Sequence, residues 1–434
     1  MTVLISSLRI NSARMLESFS TLSLIGSTGD GGVSRVSLSE SHLAARTWFR
    51  SEVENAGLEF HVDSAGNHSA ILPAFALAGE VAQPTGEIGL SQKPLLLRAS
   101  TLLIGSHLDS VLNGGRFDGA LGVVAALEVL RIVKENGIRL RVNLEAIDFT
   151  DEEGTLVGLL GSAALAGRLN PESLKKPRGG RQNLVEGMKR AGLDEEGIFK
   201  ATRPKDSLAG YLELHIEQGK RLERMGINIG IVSAIVGIRS YRLSFIGRAD
   251  HAGSTLMTDR ADASLGASAF ALAAREIVMG SFPNCVANVG KMDFIPGAFN
   301  IVPARVDLCL EFRSPDAEQF ENLDAALMAS AKEQAGRFGL ELRSECFEKH
   351  VPNLMSSGIQ KTFADSCNDL GLTHTSFASG AIHDGQSFDG ICPIGMIFVP
   401  SVDGASHAPR ELTKWDDCVN GANVLLQTAL KLAG

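Results

Sequence analysis

Five short polar segments of this chain carry residue types that do acid–base or metal chemistry. They are Gly105–Ser110, Asn113–Gly119, Asp148–Gly154, Glu213–Gly219 and Ser406–Pro409. Each follows an apolar run or opens a predicted helix, and sites in α/β sheets lie beyond the carboxyl ends of strands. Together they supply three histidines and at least three carboxylates, with no usable cysteine pattern. Such ligands suit Zn²⁺, Mn²⁺, Co²⁺ or Ni²⁺, and a carboxylate shared by two ions would make a dinuclear hydrolytic site.

Each segment taken alone also has a simpler interpretation. Asp118 stands where a helix N-cap would stand, and the acidic run of Asp148–Gly154 is typical of a solvated loop. A single histidine such as His107 is more often a core or surface residue than a ligand, although Asp109 follows closely enough to orient its imidazole. The glycine-rich segment Gly26–Gly32 lacks the Gly-Lys-Ser/Thr of a phosphate loop, which favours an ordinary flexible loop.

The elements that must position these segments alternate between helix and strand in the N-terminal third. Apolar residues have helical spacing over Glu40–Ala56 and Asp118–Glu135, and strand character over Leu102–Gly105 and Arg141–Phe149. This order predicts an α/β domain with a mixed, mainly parallel sheet flanked by helices.

A second block begins near Val236 and has a different character. Its predicted strands and helices are Ser240–Ile246, Arg260–Val278, Val302–Arg313 and Asp316–Gly336. The pattern predicts a small α+β domain, after which α/β character returns. We therefore expect a catalytic domain made of residues 1–235 and 350–434, interrupted by an inserted domain of residues 236–349.

Composition excludes several classes of function. Among the 434 residues, 41 Lys and Arg are outnumbered by 50 Asp and Glu, and this net charge of −9 argues against nucleic acid or anionic membrane as the main partner. There is no apolar run of about 18 residues and no signal-peptide pattern in the first twenty residues. Six cysteines without a CxxC pair favour a reducing compartment, so we expect a cytoplasmic protein. The acidic net charge does not exclude a small anionic substrate, because a single local Arg can hold it.

The ordered motifs of the chain resemble those of the N-carbamoyl-L-amino acid hydrolase family. The matching segments are GSHLDSVLNGGRFDGALGV, DFTDEEG, LELHIEQG, GRADHAGSTLMTDRADA, PGAFNIVPARVDLCLEFRSPD, SGAIHDG and ICPIGMIFVPSVDGASHAP. The family stands beside β-ureidopropionase and allantoate amidohydrolase in the dinuclear aminoacylase-type metallohydrolases. The resemblance covers nearly the whole chain except Ala76–Ser100, which reads as a surface insertion. It implies a zinc-exopeptidase-like catalytic domain with an inserted lid and dimerisation domain, and a homodimer.

The resemblance also implies roles for single residues around two divalent metal ions. His107 and His215 would bind one ion, and Glu153 and His407 the other. Asp118 would bridge the two ions. Glu152 would be the general base that takes a proton from the attacking water and returns it to the leaving nitrogen. Asp109 would support His107 from behind.

Substrate contacts are implied in the same way. His251 would stabilise the carbonyl oxygen as an oxyanion donor, and Asn300 and Arg313 would hold the substrate carboxylate. Gln218 would lie close to the ureido group, and His383 would line the same cleft. The sequence departs from many relatives at Ala381–Ile382, where they have two small residues. It also departs after His407, where relatives often carry an acidic residue and this chain has Arg410 before Glu411.

Five functions are compared. The resemblance favours hydrolysis of an N-carbamoyl-L-amino acid, with allantoate amidohydrolase and β-ureidopropionase as alternatives. An N-acyl amino acid deacylase or peptidase is less favoured, because His215 stands where many of those peptidases have an acidic ligand. A non-catalytic binding protein is disfavoured, since Glu152 and all five implied ligands are present.

Overall fold

The protein is described by a computed structural model that covers residues 5–75 and 99–434. Most of the predicted insertion, residues 76–98, therefore lies outside the described residues. Within the described part of the chain, no helix combines the length and the apolar character needed to cross a membrane.

Helices and strands alternate along most of the chain. The strands are β1 (Glu59–Val62), β2 (His68–Leu72), β3 (Thr101–His107), β4 (Asn143–Phe149), β5 (Leu208–Ile216), β6 (Ile229–Ile235), β7 (Gly237–Ile246), β8 (Asp250–His251), β9 (Val286–Ile295), β10 (Ile301–Val302), β11 (Arg305–Ser314), β12 (Glu341–His350), β13 (Asn353–Leu354), β14 (His374–Ser379) and β15 (Ile394–Val399). The α-helices are α1 (Ser12–Leu24), α2 (Glu40–Asn55), α3 (Ala120–Glu135), α4 (Leu160–Leu165), α5 (Pro171–Lys175), α6 (Arg181–Ala191), α7 (Arg221–Met225), α8 (Ala263–Ser281), α9 (Ala317–Arg337), α10 (Ser357–Leu370) and α11 (Trp415–Ala433).

The largest sheet has the strand order β1-β2-β4-β3-β5-β15-β6-β13, with β14 also paired to β6. Its four central strands, β4, β3, β5 and β15, are parallel. Helix α3 packs on β3, and α11 packs on β5 and β15. The predicted mixed α/β fold with a mainly parallel sheet is confirmed.

The central strands are buried, and most of their residues are apolar, as expected for parallel strands covered by helices. Helix α3 is buried over fourteen consecutive residues, Ala120–Val133, since Ala, Gly, Val and Leu dominate this stretch. Its polar exceptions are paired: Arg14 binds Glu128, and Arg131 binds Glu52. A buried acid inside the sheet is likewise paired, since Glu145 of β4 binds Arg203.

The described residues form two compact units. The first comprises Met1–Ser233, Met355–Phe377 and His383–Gly434, and the second comprises Ala234–Leu354 and Ala378–Ile382. The second unit thus includes a short late segment, 378–382, that the sequence assigned to the first domain. Within this unit the backbone N–H of Val236 donates to the carbonyl of Ser379 at 3.2 Å, which attaches the segment there.

The second unit contains a four-stranded antiparallel sheet in the order β12-β7-β11-β9. Helices α8 and α9 pack on this sheet and enclose an apolar core. A separate two-stranded sheet joins β8 and β10, with His251 opposite Ile301. Strands β9 and β12 form the two edges of the larger sheet.

Candidate metal centre

Two histidines lie at the ends of neighbouring parallel strands of the large sheet. His107 is the last residue of β3, and His215 is the penultimate residue of β5. Both side chains are 1% exposed. The Nδ1 atom of His107 lies 3.0 Å from the carbonyl oxygen of Asp109, and that of His215 lies 2.9 Å from the carbonyl of Ile216. Both rings therefore direct Nε2 towards the space beyond the strand ends.

Asp118 lies between these two rings. Its Oδ1 atom is 3.0 Å from Nε2 of His215 and 3.7 Å from Nε2 of His107. The N-cap of α3 is Gly119, with no side-chain cap hydrogen bond, so the carboxylate of Asp118 is not used as a helix cap. A Cβ atom at Gly119, whose φ is +63°, would lie 2.5 Å from atoms of the His107 ring. Glycine is required here because the imidazole occupies that space.

The acidic run after β4 separates into two functions. Asp148 accepts from the backbone N–H of Leu108 and from Nε of Arg46, both at 2.8 Å, and thereby fixes the turn after His107. Asp151 accepts from the N–H groups of Leu156 and Gly158 and shapes the following loop. These two carboxylates are structural, which leaves the other two acids of the run available for chemistry.

Glu152 and Glu153 are those two acids. Glu152 Oε2 lies 3.6 Å from Nε2 of His107, and Glu153 Oε2 lies 3.3 Å from Nε2 of His407. Their backbone N–H groups both donate to the carboxylate of Asp109, at 3.3 Å. Asp109 was predicted to support His107. In the structure its carbonyl contacts the ring, while its carboxylate holds the loop of the two glutamates.

His407 completes the cluster from the loop after β15. Its Nε2 atom lies 3.4 Å from Oδ2 of Asp118, its φ is +52°, and its side chain is 51% exposed. A positive φ is uncommon for a residue other than glycine and often marks a functional position. The five predicted metal ligands thus form two groups, His107–Asp118–His215 and Asp118–Glu153–His407, that share Asp118.

The donor chemistry of these two groups fits divalent ions. Each offers nitrogen and carboxylate oxygen within 4.8 Å of one another, and Zn²⁺ and related ions take such ligands. Without an ion, the carboxylates repel one another. Burial raises the pKa of Glu153 well above its usual range, and the neighbouring Asp118 and Asp109 charges add to this. The carboxylates therefore favour cations.

The pKa values of His215 and Glu152 show how charge is distributed in the same cluster. Burial opposes charge on His215, but the Asp118 carboxylate outweighs it and raises the pKa of His215 to about 9. Burial raises the pKa of Glu152 well above its usual range, with repulsion from Asp384 and Glu153 in addition. A carboxylate with a raised pKa is better suited to take up a proton as a general base.

Gln218 and His383 also lie at this centre. Gln218 donates through Nε2 to Oδ2 of Asp118 at 2.8 Å and to Oγ of Ser406 at 3.1 Å, and so contacts the shared carboxylate. His383 is 2% exposed, and its ring packs edge-on against that of His215 with centroids 4.5 Å apart. The structure therefore places His383 beside His215, in a further group of candidate ligand atoms with Glu213. Its predicted contact with substrate stays a prediction.

Glu411 was missed as a site residue. It is the acidic residue whose position after His407 we had treated as a departure, because Arg410 precedes it. Its carboxylate accepts from the backbone N–H of Phe117 and of Asp118. Burial and the nearby Asp118 charge raise the pKa of Glu411 to about 7. The only sequence signal was an acid four residues after a candidate ligand.

His251 and Asn300 belong to the second unit and lie side by side there. The N–H of Ala252 donates to the carbonyl of Asn300 at 3.0 Å, beside the β8–β10 pairing. Nδ1 of His251 accepts from the N–H groups of Gly253 and Ser254 at 3.0 and 3.1 Å. Since Nδ1 is an acceptor, the ring hydrogen of neutral His251 is on Nε2, which leaves an exposed donor.

Arg313 lies near the far end of β11. Its Nε and Nη2 atoms contact Oε1 of Glu311 at 2.8 Å, and Nη1 donates to the carbonyl of Gly380 at 2.6 Å. The side chain is 30% exposed. A guanidinium has five N–H donors, so these contacts still leave donors for an anion.

Known proteins resemble this chain over nearly its full length. Residues 103–431 match the model of peptidase family M20/M25/M40. An N-carbamoyl-L-amino acid amidohydrolase of Geobacillus stearothermophilus is 36% identical over 98% of this chain and 99% of its own. A ureidoglycolate hydrolase of Arabidopsis thaliana is 32% identical over 99% of this chain and 88% of its own. The crystal structure of a hydantoinase/carbamoylase family amidase from Burkholderia multivorans has a TM-score of 0.85 and 32% identity, over 98% of this chain and 99% of that one.

The mixed α/β fold, the clustered His and carboxylate ligands and these matches define a hydrolase of the amidohydrolase class. The chain belongs to the peptidase family M20/M25/M40.

Proposed function

We propose that this protein hydrolyses the ureido C–N bond of an N-carbamoyl-L-amino acid, giving the L-amino acid, CO₂ and ammonia. The observation that carries the proposal is the pair of candidate ligand groups sharing Asp118, with Glu152 beside them. The substrate class is supported by 36% identity, over nearly both full lengths, to an amidohydrolase of that name. The alternatives are allantoate, N-carbamoyl-β-alanine and ureidoglycolate, all of which carry a ureido group and a carboxylate.

Two divalent ions would be held by the five residues of the shared groups. His107 and His215 would bind one ion, Glu153 and His407 the other, and Asp118 both. Ions at such a site lower the pKa of water and polarise a carbonyl group. The identity of the metal, Zn²⁺, Mn²⁺, Co²⁺ or Ni²⁺, is open to test by reconstitution.

The remaining residues move protons and orient the substrate. Glu152 accepts the proton of the attacking water and passes it to the leaving amino nitrogen, which balances the reaction. The carbamic acid so released breaks down to CO₂ and ammonia. Nε2–H of His251 donates to the oxygen of the ureido carbonyl as negative charge develops there. Asn300 and Arg313 hold the carboxylate, and Gln218 orients the ureido nitrogen.

We further propose that the enzyme is a homodimer assembled through the second unit. Leu265, Leu272 and Met279 are exposed on α8 at intervals of seven residues, so they share one face of the helix. The neighbouring strand β9 is a ten-residue sheet edge with exposed Val286. A long exposed edge beside an apolar helix face is expected to pair with another chain.

The geometry of β11 supports sharing of the active site between subunits. Arg305 at one end of β11 pairs with Ile246, from which the chain continues to β8 and His251, whereas Arg313 pairs with Ile238 at the other end. The eight residue steps between Arg305 and Arg313 span about 26 Å. One small ureido acid is too short to contact both His251 and Arg313 of the same chain. We therefore propose that His251 and Asn300 act on the substrate bound by the other subunit.

The function is tested first by substrate. Purified protein reconstituted with Mn²⁺ is given N-carbamoyl-L-methionine, N-carbamoyl-β-alanine, allantoate or ureidoglycolate, and ammonia release is measured. Preference for the first supports the proposal, and preference for another moves the function to that ureido acid. The Glu152→Gln variant serves as the blank. If metal-loaded protein released no ammonia from any of the four ureido acids, the proposed function would be wrong. N-acyl amino acids and dipeptides would then be tested.

The assembly is tested by mixed dimers of Glu152→Gln and His251→Ala. If His251 acts across the interface, each mixed dimer has one intact site. A one-to-one coexpression then gives about a quarter of wild-type activity, although each variant alone is inactive. No recovery would place His251 in its own subunit's site. Leu272→Glu should yield monomers by light scattering, whereas Leu24→Glu, at an exposed position of α1, should leave the dimer intact.

The free cysteines bear on location. All six, Cys285, Cys309, Cys346, Cys367, Cys392 and Cys418, are unpaired, which supports a reducing, cytoplasmic environment as part of this proposal.

A further inference from the structure

Glu411 is a buried acid of the metal centre that belongs to neither ligand group. It is 2% exposed, in the loop between His407 and α11. Its Oε1 atom accepts from the N–H groups of Phe117 and Asp118 at 2.9 and 3.1 Å. Its Oε2 atom lies 3.3 Å from Oγ of Ser406. All three donors come from residues that are, or adjoin, candidate ligands.

The loop before Asp118 is shaped around this carboxylate. A Cβ atom at Gly115 would lie 1.9–2.2 Å from the carboxyl carbon and both oxygens of Glu411, so no side chain fits at that position. The two N–H groups of Phe117 and Asp118 point at a single oxygen of Glu411. The backbone that carries the shared ligand is thus built onto Glu411.

Ser406 connects Glu411 to Asp118 and directly precedes His407 in the chain. Its Oγ atom lies 3.1 Å from Oδ2 of Asp118 and 3.3 Å from Oε2 of Glu411, and the next residue is His407. Glu411 and Ser406 therefore join the loop of the shared ligand to the loop of the last histidine. These residues are 288–294 positions apart in the chain, so no local element can fix their spacing.

The charge of Glu411 needs its own explanation. Burying a carboxylate beside Asp118 is unfavourable through both desolvation and repulsion, unless cations compensate it. Four carboxylates converge here: Asp118, Glu152, Glu153 and Glu411. Two divalent ions would balance the negative charge of these four carboxylates. If the only role of Glu411 were to accept hydrogen bonds, a neutral acceptor would do so with a smaller desolvation cost.

We propose that Glu411 is a positioning residue of the metal centre, holding Asp118 and, through Ser406, the His407 loop so that two divalent ions bind together. This rests on the proposed dinuclear site, yet it assigns Glu411 no direct contact with ion or substrate. Glu411 acts through hydrogen bonds to the backbone and through its negative charge.

The test compares Glu411→Gln with Glu411→Asp. Glutamine keeps an oxygen acceptor for both N–H groups and removes the charge, whereas aspartate keeps the charge and is one methylene too short. The readout is the number of Mn²⁺ ions bound per chain after dialysis, with dissociation constants from calorimetry. We expect both variants to bind one of the two ions about tenfold to a hundredfold more weakly, as for outer partners of metal ligands. The melting temperature of the metal-free Glu411→Gln protein should stay close to that of the wild type.

Asp63→Asn is the matched control. Asp63 also accepts two backbone N–H bonds, from Ala65 and Asn67, but in a turn that contains no candidate ligand. This variant should bind both ions as the wild type does. Wild-type affinity for both ions in Glu411→Gln and Glu411→Asp would overturn the proposal. Wild-type protein that bound no divalent ion would instead overturn the dinuclear site itself, and this inference with it.

Discussion

The two regions that carry the candidate chemistry are built in opposite ways. In the first unit, His107, His215 and Asp118 are buried, and the flanking loops are held by buried carboxylates. In the second unit, His251 and Asn300 are exposed. Phe299, which precedes Asn300 in the same turn, is 100% exposed. A site that holds cations permanently can be organised by the residues of the first unit alone. In the second unit, the candidate substrate-binding residues His251 and Asn300 are instead exposed to solvent.

The largest expected effect is metal removal, which tests the region that is preorganised. Dialysis against a chelator should abolish amide hydrolysis, and Mn²⁺, Co²⁺, Ni²⁺ or Zn²⁺ should restore it. In the metal-free protein the pKa of His215 is about 9, so this histidine is protonated at pH 7 and must lose its proton when a metal binds. Metal affinity should therefore fall as pH is lowered from 9 to 6.

Calorimetry at several pH values, in buffers of different ionisation enthalpy, checks this pH dependence. Full activity in protein shown by elemental analysis to be metal-free would contradict the first region's assigned role.

The next effect separates two adjacent acids of the same loop. Glu152→Gln should lower kcat by about 10²–10⁴-fold, because it removes the proton acceptor, while both ions stay bound. Glu153→Gln should instead lose an ion, since Oε2 of Glu153 faces His407. Activity assays together with elemental analysis distinguish the two outcomes. A normal kcat in Glu152→Gln would show that another group is the base.

The buried region was largely predictable from the sequence, and the reason is physical. Short apolar runs such as Leu102–Gly105 indicate buried strands, and polar residues that end such strands converge at one sheet edge. Strand β4 and helix α3 accordingly lie within two residues of their predicted bounds. The exposed edges β9 and β12 were not predicted, because they lack a simple alternation of buried and exposed residues.

Side-chain partners were harder to predict than the ligands. Sequence spacing placed Asp109 near His107, where its Oδ1 atom lies 3.7 Å from Nδ1 of that ring. Spacing could not show that the carboxylate would also accept from the N–H groups of Glu152 and Glu153. Glu411 was missed because its partner Phe117 lies 294 residues away, and only the folded chain brings them together.

A smaller effect is expected from substitutions in the exposed region of the second unit around His251 and Asn300. His251→Ala removes the exposed Nε2–H donor and should lower kcat about 10²–10³-fold, as for the loss of one oxyanion donor. Metal content should not change, because His251 is in neither ligand group. His350→Ala, at another partly exposed histidine of the second unit, is the control and should keep full activity. Equal activity of the two variants would remove His251 from the reaction.

The smallest effect concerns Arg313, where a local partner competes with the substrate. The guanidinium already contacts Glu311, so binding of a substrate carboxylate adds to an existing ion pair. Arg313→Ala should raise KM about 10–100-fold with a much smaller change in kcat, since charged hydrogen bonds contribute about 1.5–3 kcal/mol. The KM of Arg313→Lys should lie between those of the wild type and Arg313→Ala, because lysine keeps the positive charge but lacks the bidentate guanidinium. Arg343→Ala is the matched control, as Arg343 contacts Glu341 in the same spacing on β12. If both alanine variants kept the wild-type KM, Arg313 would be a surface ion pair, and the exposed region would have to bind the substrate carboxylate through Asn300 alone.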